Sequence, residues 1–278
     1  MTGMRDIARS AVRLTLRCAG LLGGSRAGCF VREEFDPVCA VTTGGGRTIR
    51  FAAPNLVARH RAATLFEKEP ETIAWIDGFR PGDVLLDVGA NVGTYTVYAA
   101  SRGHRVIAIE PEAGNYALLN RNIALNGLDG EATAYCMGLG DREGLFTLNL
   151  STTQSANSQH QLGDALDFEG KPFHPEFRQG AVGTTLDALA EACGVWPDHV
   201  KIDVDGLEAA VLRGGMRLLG SGRVRSLLVE LNESREDHRD ATNWLRSAGF
   251  CQVERGQSEM TARGRFVDCF NYVWVRDA

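Results

Sequence analysis

No stretch of 18 residues in this sequence is both apolar and free of charge, so none of it is suited to cross a bilayer as a helix. Cysteine is sparse: the seven residues Cys18, Cys29, Cys39, Cys136, Cys193, Cys251 and Cys269 are odd in number, scattered, and include no CxxC pair. That spacing argues against both a disulfide framework and a zinc knot, and it fits a reducing, cytoplasmic compartment. Positive charge is also in deficit, with 30 Lys and Arg against 35 Asp and Glu. Such a chain has no general attraction for a phosphate backbone, so nucleic acid is disfavoured as a partner. Internal repeats and low-complexity tracts are lacking too, which excludes solenoids and propellers. A chain of 278 residues can nevertheless bury enough surface to fold without staples.

The first residues place Arg5, Arg9, Arg13 and Arg17 at four-residue intervals among Ile7, Val12, Leu14, Leu16 and Leu21. This is the pattern of a basic amphipathic helix over about 5–22, too often interrupted by arginine for a cleaved signal. It suits docking on its own domain or on a partner subunit, and peripheral contact with an anionic membrane is a second option. Two extended runs from Val38 to Ala52 flank Thr43-Gly44-Gly45-Gly46 and predict a hairpin. Helical patterns follow near Asn55–Phe66 and Glu69–Phe79. Residues 1–66 therefore read as an appendage and 67–278 as the main domain.

From Arg80-Pro81-Gly82-Asp83 onward, strand-like runs alternate with helix-like stretches. VLLDV precedes Thr94–Ser101, VIAIE precedes Ala113–Asn126, TAYCM follows, VKIDV precedes Leu207–Leu219, and SLLVEL precedes Asp240–Ala248. That rhythm predicts an α/β, doubly wound, mostly parallel sheet. The runs Cys251–Glu254 and Asn271–Val275 have only a loop between them, so they are expected to pair antiparallel. Leu145–Leu150 reads as an extra strand. The polar stretch STTQSANSQHQLGDALDFEG reads as a long loop of the kind that holds substrate, and a helix is expected over Leu186–Cys193.

The most specific motif is VLLDVGANVGTYTVYAA, a buried strand, a glycine loop and a helix. In such sheets ligands bind outside the carboxyl ends of the strands. Gly89 and Gly93 allow close approach to the backbone, and Asp87 suits the ammonium of a bound amino acid such as the methionine half of adenosylmethionine. Glu110 ends the next strand about twenty residues later, where an acid accepts hydrogen bonds from ribose hydroxyls. The spacing is DxGxNxG; the nicotinamide fingerprint GxGxxG is not met, although an NAD-dependent oxidoreductase satisfies the same acid. Asp203 and Glu230 end the runs VKID and LLVE, so both carboxylates should converge on the cleft. Their other reading is the capping of loop backbone. With Asn232 they also offer oxygen ligands for a divalent metal, a reading left open. His160 in the polar loop and His238 after the LLVE strand are candidates, with Asp203, for the base that takes a proton. His60, His104, His174 and His199 receive no role.

Across about 67–250, the blocks KEPETIAWIDGFRPGDVLLDVGANVGTYTVYAA, IAIEPEAGNYALLNRNIALNG, VKIDVDGLEAAVLRGG and LLVELNE resemble the FkbM methyltransferase family. The resemblance implies a class I methyltransferase, Rossmann-like fold with an antiparallel C-terminal hairpin strand. It implies adenosylmethionine as donor and O-methylation of a hydroxyl on a small molecule, sugar or glycan. By position it assigns Asp87, Gly89, Asn91 and Gly93 to the methionine-side loop, Glu110 to the ribose, and Asp141 with its neighbours to the adenine edge. The family's usual DVEG is here Asp203-Val204-Asp205-Gly206, one methylene shorter at the second acid. A catalytically silent nucleotide-binding or interaction module remains the alternative, because a fold does not dictate a function.

Overall fold

A computed structural model describes residues 10–12, 14–17, 26, 29, 36–257 and 264–276. The chain divides into two units, Met1–Val38 and Cys39–Ala278. In the first, residues 10–12 and 14–17 are helical; Arg5, Arg9, Arg13, Ile7 and Leu21 of the expected basic helix lie outside the described residues. No described helix is long and apolar enough to cross a membrane.

The larger unit opens with the expected hairpin, β1 (Val38–Thr42) and β2 (Thr48–Ala52), its turn closed by the Thr43 N–H donating to the Arg47 carbonyl at 2.8 Å. Helix α1 (Leu56–Ala63) is capped by Asn55, whose side chain accepts from the Ala58 N–H. Pro70 starts α2 (Pro70–Asp77), where its missing N–H costs nothing. The alternation then runs β3 (Val84–Val88), α3 (Thr94–Ser101), β4 (Arg105–Ile109), α4 (Ala113–Leu125) and β5 (Ala132–Tyr135). After an inserted region come α5 (Leu186–Cys193), β10 (His199–Ile202), α6 (Glu208–Arg213), α7 (Met216–Gly220), β11 (Ser226–Asn232), α8 (Glu236–Ser247), β12 (Phe250–Gly256) and β13 (Cys269–Arg276).

Seven of these strands form one sheet in the order β12-β13-β11-β10-β3-β4-β5. Strands β11, β10, β3, β4 and β5 are parallel, and β13 inserts antiparallel between β11 and β12. The class I methyltransferase architecture expected from the sequence is thus present. Its parallel strands are apolar on both sides because both faces are covered. Leu86, Val200, Ile202, Leu227 and Val229 pack beneath α5 to α8 with Leu186, Leu212, Leu218 and Leu245. Leu85, Val106 and Leu228 meet the other layer, built from Ile49, Phe51, Ile76, Val97, Leu119 and Ile123. The β-hairpin is therefore part of this core, and each fully buried Leu or Ile there contributes about 1.5–3 kcal/mol.

Two elements differ from the expectation. The stretch Leu207–Leu219, expected as one helix, is broken at Gly214 and Gly215. A Cβ at Gly214 would lie 2.0 Å from the Gly140 carbonyl oxygen, so the chain bends where it touches its neighbour. The inserted region also holds a second sheet, ordered β6-β9-β7-β8, from Gly138–Gly140, Phe177–Thr185, Gly144–Leu150 and Gln161–Leu162. Strand β9, FRQGAVGTT, has no apolar alternation to announce it.

Candidate active site

Chain order reverses between β3 and β10, the point where the edge loops of an α/β sheet diverge and leave a crevice. A cavity of about 350 Å³ lies there. Gly89, Asn91, Glu110, His160, Asp203, Asp205 and Glu230 all line it. The sequence placed six of these seven in the site, and the fold brings them to one wall.

The glycine loop is tight for a physical reason. Gly89 has φ +80°, and a Cβ on it would stand 1.8 Å from the Asp203 carbonyl oxygen. Its N–H and that of Ala90 donate to the Ile109 carbonyl, both at 3.0 Å. Loop and second strand are thereby locked together. Gly93, at φ +78°, precedes α3 and gives Leu119 the space a side chain would fill, but does not itself line the cavity. Asn91 has φ 51°; its N–H donates to Glu110 Oε2 at 2.8 Å. Glu110 Oε1 accepts the Glu112 N–H at 2.9 Å. Burial outweighs these bonds and pushes Glu110 up to about 7. Each of its oxygens retains a second lone pair for a ligand hydroxyl.

Asp87 lies beneath the loop and does not line the cavity. Its Oδ2 accepts from Thr96 Oγ1 at 2.6 Å, while Oδ1 is buried without a partner. Burial raises its pKa. The strand register sets Asp87 beside Lys201, which is only 2% exposed. The Lys201 ammonium donates to Asp203 Oδ2 at 2.9 Å and stands 5.2 Å from the Tyr95 ring centre. Tyr95 donates in turn to Glu69 Oε2 at 2.8 Å, and Glu69 is ion-paired with Lys68. Charges thus alternate from Lys68 through Glu69 and Lys201 to Asp203.

This chain of charges sets the two site carboxylates apart. Burial opposes the charge of Asp203, but Lys201 and then Lys68 outweigh it and hold its pKa below the usual carboxylate value. Glu230 is driven well above its usual value by desolvation and by Asp203, Glu208 and Asp205. Asp205, at φ 54°, accepts the Gln159 N–H at 2.6 Å and is raised to about 6, chiefly by burial. These surroundings favour the ionised form of Asp203 and the protonated form of Glu230. Environments that split a carboxylate pair in this way are typical of acid–base sites.

The polar loop after β7 folds over the same cavity. Asn55 Nδ2 donates to the Ser155 carbonyl at 2.9 Å, Arg61 Nε to the Ala156 carbonyl at 2.6 Å, and Asn91 Nδ2 to the Asn157 carbonyl at 2.8 Å. Asn115 Oδ1 accepts the Ala156 N–H at 2.6 Å. These bonds carry His160 to the rim, where burial lowers its pKa and its Nε2 has no partner.

Three sequence candidates are placed elsewhere. His238 is 2% exposed behind the sheet; its Nδ1 accepts the Asn232 N–H at 3.0 Å, and burial pushes it down to about 4. Asp141 lies on the surface beyond β6, paired with Arg213 at 3.3 Å, outside the cavity lining. Asn232 is buried and turns its Oδ1 to the Ser234 N–H and hydroxyl, away from Asp203. Among the described residues no three His, Cys, Asp or Glu side chains are grouped as a metal site requires. Sequence reasoning missed Lys201, Glu69 and Tyr95. Only Lys201 carried a signal, being a lysine inside the buried run VKIDV, where that residue type is exceptional.

The residues present fit adenosylmethionine. The cavity is within the size of small-ligand sites, a glycine cradle admits close approach, and Glu110, which lines the cavity, keeps lone pairs for a ligand hydroxyl.

Comparison with known proteins identifies the family. The model of the methyltransferase FkbM domain matches residues 87–251. The hexuronic acid methyltransferase AglP of Haloferax volcanii is 29% identical over 167 residues, which are 60% of this chain and 62% of that protein. The 23S rRNA (uracil(1939)-C(5))-methyltransferase RlmD of Ralstonia nicotianae is 44% identical over 63 residues, 22% of this chain and 13% of that protein. The chain therefore spans less than two thirds of the length of either curated relative. The crystal structure of the methyltransferase FkbM from Methylobacillus flagellatus KT shares 18% identity at a TM-score of 0.47, covering 70% of this chain and 45% of that one. With a family model that covers more than half of its length, and with the glycine loop, Glu110 and the carboxylate pair lining one cavity at the switch point, the chain belongs to the FkbM methyltransferase family.

Proposed function

We propose that this protein transfers a methyl group from adenosylmethionine to a hydroxyl of a small molecule, sugar or glycan. The observation that carries the reading is the placement of Glu110, a ribose-type acid, in the same cavity as Asp203 and Glu230, two carboxylates whose surroundings shift them in opposite directions. The hexuronic acid methyltransferase among the relatives supports a sugar as acceptor.

Bound adenosylmethionine supplies an electrophilic methyl group. The chain's own residues supply position. The Gly89–Gly93 loop admits the ligand to the backbone and Glu110 accepts from its ribose, while Asp87, buried beneath the loop, acts through the loop it supports by holding the Thr96 hydroxyl at the start of α3. Asp203, kept ionised by Lys201, accepts a hydrogen bond from the acceptor hydroxyl and fixes its oxygen toward the methyl group. Holding the reacting atoms in line contributes several kcal/mol, and drawing the proton away adds about a hundredfold. His160 lines the same cavity with its pKa lowered by burial, and it is the base proposed to take the hydroxyl proton.

A screen of hydroxylated sugars and metabolites with labelled donor tests this reading. Asp203→Asn should leave donor affinity nearly unchanged and slow methyl transfer about a hundredfold. Transfer at the parental rate by the variant excludes Asp203 from the chemistry, and labelling confined to nitrogen or carbon acceptors excludes O-methylation.

A further inference from the structure

The cavity lining joins two unlike chemistries. One face of α1 and the turn after it contributes Val57, His60, Arg61, Thr64 and Lys68, at spacings of three and four residues. Asp203, Asp205 and Glu230 contribute to the same lining from strand β11 and the turn after β10. The two strong cations on the helix wall are differently engaged. Lys68 is ion-paired with Glu69. Arg61 is pinned through Nε to the Ala156 carbonyl at 2.6 Å, and among the described residues its terminal nitrogens have no hydrogen-bond or ion-pair partner. Its charge still acts on Asp203, Asp205, Lys68 and His160. The charges that act on Glu110 are those of Glu112 and Asp205 instead. Arg61 therefore lines the same cavity as the carboxylates, and its charge is felt at Asp203 and Asp205.

We propose that Arg61 anchors a carboxylate of the methyl acceptor, which makes the substrate class acidic: a hydroxylated carboxylic acid, for example a uronic-acid unit. This rests on the methyltransferase reading given above. With Nε engaged, the two terminal nitrogens remain side by side, the fork that matches a carboxylate. An anionic acceptor entering beside Asp203 needs such a cation against repulsion, while a neutral one leaves a fixed, partly desolvated guanidinium unpaired. The acceptor would set its carboxylate on Arg61 and a hydroxyl on Asp203. Specificity for acid over neutral sugar then comes from the helix wall and not from the strand ends.

The test uses the full chain saturated with S-adenosylhomocysteine and titrated with sodium glucuronate, or with glucose as the neutral control, for the parent, Arg61→Met and Arg61→Lys. Glucuronate should bind about tenfold or more tightly than glucose and lose about tenfold in Arg61→Met. Arg61→Lys should retain part of that preference, and glucose binding should not change. Glucuronate binding no better than glucose, absent, or indifferent to Arg61→Met overturns the proposal. So does an Arg61→Met variant that binds S-adenosylhomocysteine poorly but 5′-methylthioadenosine normally, because the carboxylate would then be the donor's. Failure of the parent to bind S-adenosylhomocysteine at all strikes the methyltransferase reading instead, so the two failures are distinguishable.

Discussion

Glu110 shows how much one buried side chain can report. Its pKa of about 7 means that near neutrality the empty site is divided between protonated and ionised forms. Ribose hydroxyls donate best to the ionised form, so a bound nucleoside should pull the pKa down and release a proton. The affinity for S-adenosylhomocysteine is therefore expected to be level above pH 8 and to weaken toward a limiting tenfold per pH unit below 7. Calorimetry at pH 6, 7 and 8 measures this, and Glu110→Gln should flatten the profile. A flat profile in the parent would remove Glu110 from the ribose. The acids and glycines of the site were legible in the sequence because each sits at a strand end whose position the βαβ rhythm fixes. Lys201 and Arg61 were not, because their meaning lies in neighbours distant in sequence: Asp87 beside Lys201 across the sheet, Ala156 beside Arg61 across the loop.

At the scale of elements, the long loop over the cavity is held by short polar side chains from α1, the glycine loop and α4. Asn55 has two tasks, capping α1 and holding the Ser155 carbonyl. Asn55→Ala should cost about 1 kcal/mol of stability through the lost cap. It should also raise hydrogen exchange across 152–160, with the β3 and β4 amides unchanged. Unchanged exchange in that loop would show that Asn55 does not hold it. The parallel strands and their helices were readable because apolar runs and turn residues are local signals. Strand β9 was not, since its FRQGAVGTT sequence gains strand structure from pairing with β7 and β6. Nor was the break at Gly214, which follows from contact with Gly140 and from nothing in the helix itself.

For the whole molecule, several buried acids make stability depend on pH in a defined direction. Glu208 accepts the Val204 and Gly206 N–H groups at 3.0 and 3.1 Å, and burial still raises it to about 7. A raised acid contributes stability that is complete below its unfolded value of 4.5 and is lost as pH rises through about 7. Glu208→Gln keeps an acceptor for both N–H groups without the charge. It should match the parent near pH 5 and exceed it by about 1–3 kcal/mol at pH 8 in denaturant titrations. An equal difference at both pH values would show that Glu208 is not titrating there. Asp203 and Glu69, whose values are lowered, act in the opposite sense and lose their contribution as the medium is acidified.

If the crevice between β3, β4 and β10 is a methyl-donor site, calorimetric titration of the pure protein with S-adenosylhomocysteine should show one site per chain. Glu110→Ala should lose about tenfold or more in affinity from removal of a charged hydrogen-bond partner, and NAD should give no heat. Saturable binding of NAD with none of S-adenosylhomocysteine, or S-adenosylhomocysteine binding of equal strength in Glu110→Ala, would contradict that assignment.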